Sequence, residues 1–386
     1  MLEKVFYGSK KYWLWMITLI IIIGIGTGAF MHQFWDGLGV TGMNRDVTWG
    51  FYIAQFTFLV GVAASAVMVV LPYYLHDYKK FSKITILGEF LAIGAVIMCM
   101  TFIFVDMGQP TRIMNVFFYP SPKSPMFWDS VSLMGYLILN ILISRYSLDA
   151  EKKGIAPPKW IKPFIIISIP WAVSIHTVTA FLYSGLAARP FWMSAIMAPR
   201  FLATAFAAGP ALLIILCLFL KKVSNFDVGK EPVKKLALIA TYAMLLNIFF
   251  LSLELFTALY SGMSHHIAHF QFLYFGLDGN YTLVPFMWAS TILAVIAIII
   301  TLVPKWRNTE NTLLVGMIAI FLSIWLDKGL GMIVAGFTPN TLGYVVPYWP
   351  SVTEFLISLG IFGLGIFIIT GLYKIVLTVR RQLKPY

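Results

Sequence analysis

The sequence predicts an all-α polytopic membrane protein with ten transmembrane helices, and three observations carry that prediction. Of 386 residues, 60% are hydrophobic and only 11% are charged, against roughly 25% charged in soluble domains. The mean hydropathy is +0.84. The apolar residues fall in runs of about 20, the length that crosses a bilayer core. Soluble enzyme folds, nucleic-acid modules and disordered scaffolds are thereby excluded. The net charge of +12 suits loop lysines and arginines at a lipid bilayer rather than a nucleic-acid partner.

The first helix, 12–32, follows the basic residues Lys4, Lys10 and Lys11. Its apolar run to Phe30 is long for a signal peptide and lacks an A-x-A site, so a retained signal anchor is expected; cleavage near Thr27–Ala29 is the alternative. The second (48–75) and seventh (236–262) are long and are expected to tilt or protrude. The third (84–105) runs out at Asp106, and the fourth (127–146) begins at Asp129. The fifth (163–184) enters at Pro163, a residue suited to a first helical turn. Pro170 there and Pro210 in the sixth (200–220) are expected to kink their helices. The eighth covers 282–303, the ninth 312–331 and the tenth 354–377. In lipid every backbone group needs an internal partner, which leaves closed helices. Helices 2–5 (48–184) and 6–9 (200–331) are expected to form two four-helix bundles. They would be parallel repeats, flanked by helices one and ten within a single membrane domain, 1–386.

Lysine and arginine counts set the orientation. With the N-terminus inside, 22 of the 28 basic residues fall on inner segments; Arg45, Arg112, Lys123, Arg189, Arg200 and Lys328 fall on outer ones. The expected location is the cytoplasmic (inner) cell membrane with both termini cytoplasmic. The outer loops 33–47, 106–126, 185–199, 263–281 and 332–353 are long, aromatic and rich in Pro and Gly, so the outer face is the expected working face.

A charge at bilayer depth costs at least roughly 2.5 kcal/mol, so each one asks for a reason. From the helical rise, His176 lies roughly 20 Å and Glu254 roughly 27 Å from the inner entry, both in the outer half. They are candidate functional groups, with packing hydrogen bonds between helices as the alternative. Asp129 and Glu354 sit near helix N-termini, where a carboxylate offsets the dipole. Asp327 and Lys328 read as interfacial. Asp106 reads as a partner of Arg112. Glu89 alone sits clearly in an inner half.

Of six histidines only His176 is deep, so a bis-histidine haem is not expected. The spacing of His265, His266 and His269 suits a metal if that stretch is helical, but no cysteine or acidic cluster joins them and no metal site is expected. Cys99 and Cys217 lie in apolar runs without CxxC or CxxCH. The chain therefore offers no thiolate set for an iron–sulfur cluster and no c-type haem attachment; both cysteines read as packed free thiols.

Three segments carry a resemblance. The outer segment reads Asp106-Met-Gly-Gln-Pro-Thr-Arg112, then Asn115-Val-Phe-Phe-Tyr-Pro120, then Ser124-Pro-Met-Phe-Trp128. It resembles the Asp-Leu-Gly-x-Pro-x-Arg … Ser-Pro-Met-x-Trp signature of the NrfD/polysulfide reductase membrane-subunit family. The stretch Trp49-Gly-Phe-Tyr-Ile-Ala-Gln-Phe-Thr-Phe-Leu-Val-Gly61 resembles that family's first core helix. Trp325-Leu-Asp-Lys-Gly329, the Tyr344–Glu354 segment and the ten-helix count resemble the larger DsrP/HmcC-like form. The resemblance covers nearly the whole chain.

The resemblance implies a subunit without bound haem or iron–sulfur cluster that oxidises menaquinol, or reduces menaquinone, near the outer face. Electrons would pass to a ferredoxin-like iron–sulfur subunit docked there. A multihaem cytochrome c and further membrane and cytoplasmic redox subunits are implied, as in DsrMKJOP-type complexes of sulfate respiration. Where shorter members carry an Asn and a His that contact the quinone, this chain reads Thr48-Trp49-Gly50.

A quinone site needs an apolar slot with two polar ends. His176 is the expected hydrogen-bonding base, since a neutral imidazole takes a proton near neutral pH. Asp106 or Glu254 would pass protons to outer water, with Arg112 holding Asp106. Trp49, Tyr52, Gln55 and Trp128 would line the slot. A path from Glu89 to Glu254 would couple redox change to proton crossing. The competing classes are a secondary transporter and an anchor without its own redox site.

Overall fold

The computed structural model describes residues 2–63, 65–74, 76 and 78–383. Among these, ten helices are long and apolar enough to cross a membrane: α1 (Lys10–Asp36), α2 (Phe51–Tyr74), α3 (Lys79–Asp106), α4 (Pro125–Lys153), α5 (Ile161–Ser184), α6 (Met197–Ser224), α7 (Lys230–Tyr260), α8 (Val284–Leu302), α9 (Glu310–Phe337) and α10 (Val352–Gln382). The protein is a multi-pass integral membrane protein. Residues 64 and 75, within the predicted span 48–75, lie outside the described residues.

Local chemistry sets several helix ends. Ser9 caps α1 by accepting from Tyr12 N at 3.3 Å. Gly154 ends α4 at φ 66°, a left-handed turn glycine enters without strain. In Ser351-Val-Thr-Glu354 the Glu354 carboxylate accepts from Ser351 N at 2.8 Å, and Ser351 Oγ accepts from Glu354 N at 3.2 Å. This reciprocal box satisfies donors that the first turn of α10 would otherwise leave open. Both Pro170 and Pro210 lie inside continuous helices.

The helices pack as α2 on α3, α3 on α4, α4 on α5 and α5 on α2; and as α6 on α7, α7 on α8, α8 on α9 and α9 on α6. The α2, α5, α6 and α9 helices meet in the centre, and every residue from Phe51 to Ala63 is buried. Helices α1 and α10 pair with each other, and α10 leans on α3. The α1–α10 crossing is backbone to backbone: a Cβ on Gly26 would lie 2.5 Å from Gly360 Cα. Only two glycines permit that approach.

The structure corrects two expectations about α9 and α6. The ninth helix does not end at the 327–328 charges; it continues to Phe337, with a wide π-helical stretch at Trp325–Gly331. Asp327 and Lys328 are 8% and 3% exposed, so they are interior rather than interfacial. Arg200 sits in the first turn of α6 at 6% exposure, not on an outer loop. Each of these charges is sheltered by facing helices, which a single-helix reading cannot show.

Candidate functional site

The long loops between α1 and α2, α3 and α4, α5 and α6, α7 and α8, and α9 and α10 share one end of the molecule, the loop face. The other end carries the segments before α1 and after α10, where Lys4 Nζ reaches Gln382 Oε1 at 2.6 Å. The predicted site residues fall into four separate places rather than one slot.

The first is a stripe on α5. His176, Thr179 and Tyr183 stand at i, i+3 and i+7, so they share one face, and each is fully buried. Thr179 Oγ1 lies 2.6 Å from Asp129 Oδ1 on α4, and Tyr183 Oη lies 2.5 Å from Thr57 Oγ1 on α2. Neither ring nitrogen of His176 has a hydrogen-bond partner among the described residues. Such orphans are rare in packed interiors and ask for a ligand or a proton role. Above Tyr183 the rings of Trp49, Trp192 and Phe337 close the loop end; Trp49 stacks on Trp192 at 6.0 Å and meets Tyr183 edge-on at 5.7 Å. Arg189 lies 4.2 Å over the Phe337 ring.

The second is an ion cluster joining α6, α7 and α9. Arg200 Nη1 donates to Glu254 at 2.7 Å, while Nη2 donates to both oxygens of Asp327 at 2.8 and 2.9 Å. A guanidinium suits this task because its planar fork serves two carboxylates at once. Lys328 Nζ sits 4.0 Å over the Phe201 ring and has no hydrogen-bond partner among the described residues. It points towards α2, where a Cβ on Gly61 would be 3.4 Å away. Gln55 on α2 accepts from Trp325 Nε1 at 2.7 Å, leaving its own Nε2 unpartnered. Beside Glu254 a cavity of about 280 Å³ opens between Phe191–Ile196, α7 and the short helix Ser264–Tyr274; His266, Met263 and Phe270 complete its wall.

The third place lies towards α1 and α10. Tyr52 Oη donates to Gln33 Oε1 at 2.6 Å, and Gln33 Nε2 donates to Val105 O at 2.6 Å. Asp106 and Glu354 lie within electrostatic reach of that tyrosine. Asp106 Oδ1 is buried without a partner. Arg112 does not hold it: the Pro110–Arg112 turn buries Pro110 and leaves Arg112 exposed. Glu354 accepts from Gly42 N at 2.7 Å and from Tyr348 Oη at 2.7 Å. Burial and that carboxylate raise the Tyr348 hydroxyl above its ordinary value and keep it protonated.

The fourth is Glu89 on α3, 1% exposed, with both carboxylate oxygens unpartnered. Its helix packs mainly on α2, α4 and α10; α7, which bears Glu254, packs mainly on α6 and α8 and meets α3 at its first turn, where Lys80 Nζ lies 3.7 Å from Glu231. Trp128 is 49% exposed and donates to Pro122 O at 2.8 Å, so it braces the 107–124 loop from outside instead of lining an interior slot. The three histidines of the 264–274 helix diverge. His269 is buried with Nδ1 3.1 Å from Thr338 O, while His265 is exposed. Burial lowers the His269 value to about 4, so the ring is neutral at neutral pH.

Sequence reasoning missed Arg200 as an interior group. Two deep carboxylates on other helices require a fixed cation, and Arg200 was the arginine near enough in helical depth to supply it.

Comparison with known proteins fits this arrangement. The family model for polysulphide reductase, NrfD, matches residues 39–337. A candidate dimethyl sulfoxide reductase membrane subunit of Halobacterium salinarum is 24% identical over 92% of this chain and 89% of its own length. A selenate reductase subunit of Mesobacillus selenatarsenatis is 21% identical over 97% and 95%. The Hdr-like menaquinol oxidoreductase integral membrane subunit of Archaeoglobus fulgidus is 23% identical over 93% and 91%. The match runs from the loop before α2 to the end of α9 and takes in the α5 stripe and the Arg200 cluster, so this chain belongs to the polysulphide reductase NrfD family.

Proposed function

We propose that this chain is the quinone-reactive membrane subunit of a multi-subunit redox complex, with the quinone head group held beside His176. The observation that carries the reading is the fully buried imidazole with two unpartnered nitrogens, set on a stripe with the Thr179–Asp129 and Tyr183–Thr57 pairs. A quinol offers two hydroxyl groups, and a neutral imidazole accepts a hydrogen bond and then a proton from one of them. Thr57 and Tyr183 orient the other polar edge. Trp49 and Trp192 exclude water from the loop side and supply flat apolar contact.

The basic residues gather at the end opposite the loop face, and the positive-inside rule supports reading the loop face as the outer one. A menaquinol relative in Archaeoglobus fulgidus supports menaquinol as the substrate. The same reading docks an iron–sulfur subunit on the exposed aromatic 107–124 loop, where Phe118 and Tyr119 are 71% and 77% exposed. A multihaem cytochrome c and further redox subunits would complete the assembly. Protons leave towards the loop face, with Glu254 at the wall of the open cavity as the exit group. The Glu89 carboxylate is kept as a separate entry for protons from the opposite face.

One observation favours a second placement of the head group. The cavity of about 280 Å³ has an apolar wall with Glu254 and His266 as polar ends. Stopped-flow reduction of the iron–sulfur partner by menaquinol separates the two. In the native complex His176→Ala is expected to slow that reduction about a hundredfold, the range a positioned acid–base group supplies. Unchanged rate and affinity in His176→Ala, with loss in Glu254→Gln, would move the head group to the cavity.

A further inference from the structure

We propose that Lys328 is a proton-carrying residue that joins the His176 site to water at the loop face, alternating between amine and ammonium as quinol is oxidised. The inference rests on the quinone reading above and adds a residue to it.

Two opposing facts single out Lys328. Arg200, Glu254 and Asp327 together carry one net negative charge, which a charged Lys328 neutralises. Yet an ammonium has three donors, and Lys328 Nζ has no acceptor among the described residues at 3% exposure. Asp327, its neighbour in sequence, cannot supply one freely, because Arg200 holds both of its oxygens. Charge balance favours the ammonium and the missing acceptors favour the amine. A group held between those demands exchanges a proton at little cost.

Position supplies the rest. The π-helical turn of α9 projects Lys328 towards Gly61 of α2, at the seam between the helices that carry His176 and those that carry Glu254. Such wide turns recur at functional positions in helices. The charged and titratable groups that bear on it are Asp327 on its own helix, Arg200 from α6, His176 from α5 and Cys99 from α3; Glu254 of α7 joins the cluster through Arg200, and α8 contributes none. Cys99 Sγ is engaged with Phe56 O at 3.7 Å, which leaves His176 as the donor side.

The step balances as follows. Oxidation of one quinol gives quinone, two electrons to the iron–sulfur partner, and two protons, which the His176 imidazole takes up one after the other. Each time the imidazolium passes its proton to the Lys328 amine, forming ammonium. The ammonium loses it to water in the Glu254 cavity, and the amine is restored for the next proton. Arg200 stays charged throughout and only positions the two carboxylates.

The test compares Lys328→Met and Lys328→Arg in the native complex. A fluorescent quinol analogue reports binding, and a pH dye reports proton release in a single turnover. Both variants are expected to bind the analogue like the wild type, to reduce the partner at least tenfold more slowly, and to show a changed pH profile. Arginine keeps the charge but does not release its proton, so it is not expected to rescue. In the quinone-free complex, the thermal midpoint is expected to change with pH in the wild type through a step that both variants lack. A normal rate and pH profile in Lys328→Met would overturn the proposal, as would rescue by Lys328→Arg, which would reduce Lys328 to a structural charge. Absence of analogue binding by the wild type strikes the quinone reading instead.

Discussion

At the scale of single residues the account turns on buried polar groups and what they lack. Arg200 has two carboxylates and leaves none of its charge unanswered, so its removal strands both. Arg200→Met is expected to lower stability by about 3–5 kcal/mol, the cost of breaking a buried ion pair by removing one partner; thermal unfolding in detergent checks this. Arg200→Lys is expected to recover only part, since an ammonium does not bridge two carboxylates in a plane. His269 gives a pH dependence. Its value in the folded protein is lowered to about 4 from 6.5, so the unfolded chain binds the extra proton between those values. Stability is therefore full above about pH 6.5 and falls as pH drops towards 4. His269→Gln is expected to flatten that fall in a pH series of unfolding midpoints. His176 and Glu254 were legible as unusual from depth alone, because an ionisable group in an apolar run is costly wherever the helix packs. Arg200 and Lys328 were not, because their cost is relieved by partners on other helices.

At the scale of elements, hydropathy and the cost of unpaired backbone located all ten helices. Their ends moved by a few residues because caps and interfacial turns are polar. The fourth ran on furthest, from 146 to Lys153, and the ninth ran on from 331 to Phe337. The charged pair of the ninth looked like a boundary, whereas facing helices α2 and α6 let the chain carry Asp327 and Lys328 inside and run on to Phe337. The Asp106–Arg112 pairing failed for a related reason: six residues separate them in sequence, but the turn at Pro110 sends the arginine to solvent. The α1–α10 pair depends on a different property, the absence of side chains at Gly26 and Gly360. Gly360→Leu is expected to force the helices apart at an overpacking cost of about 1–3 kcal/mol. A cysteine pair at Trp15 and Thr370, whose indole Nε1 and hydroxyl now meet at 3.3 Å, is expected to be joined by a short bifunctional maleimide in the parent and to lose yield in Gly360→Leu.

At the scale of the whole molecule, α2, α5, α6 and α9 meet in the centre, and α1 and α10 pair beside α3. The His176 stripe lies on α5 and the Arg200 cluster joins α6, α7 and α9, so in the proposed scheme protons and electrons part where α2 and α5 meet α6 and α9. The proposed orientation rests on the charge distribution. A cysteine placed at Lys123 is expected to react with an impermeant maleimide added outside intact cells, and one at Lys234 is expected to react only after permeabilisation. The central claim is that the chain binds a quinone beside His176. The most direct test titrates a fluorescent quinol analogue into the native, partner-loaded complex. Saturation near one analogue per chain in the wild type, with affinity lost in His176→Ala and kept in Arg112→Ala, is the predicted result. No saturable binding in an intact complex would contradict the account and leave a membrane anchor or a transporter in its place.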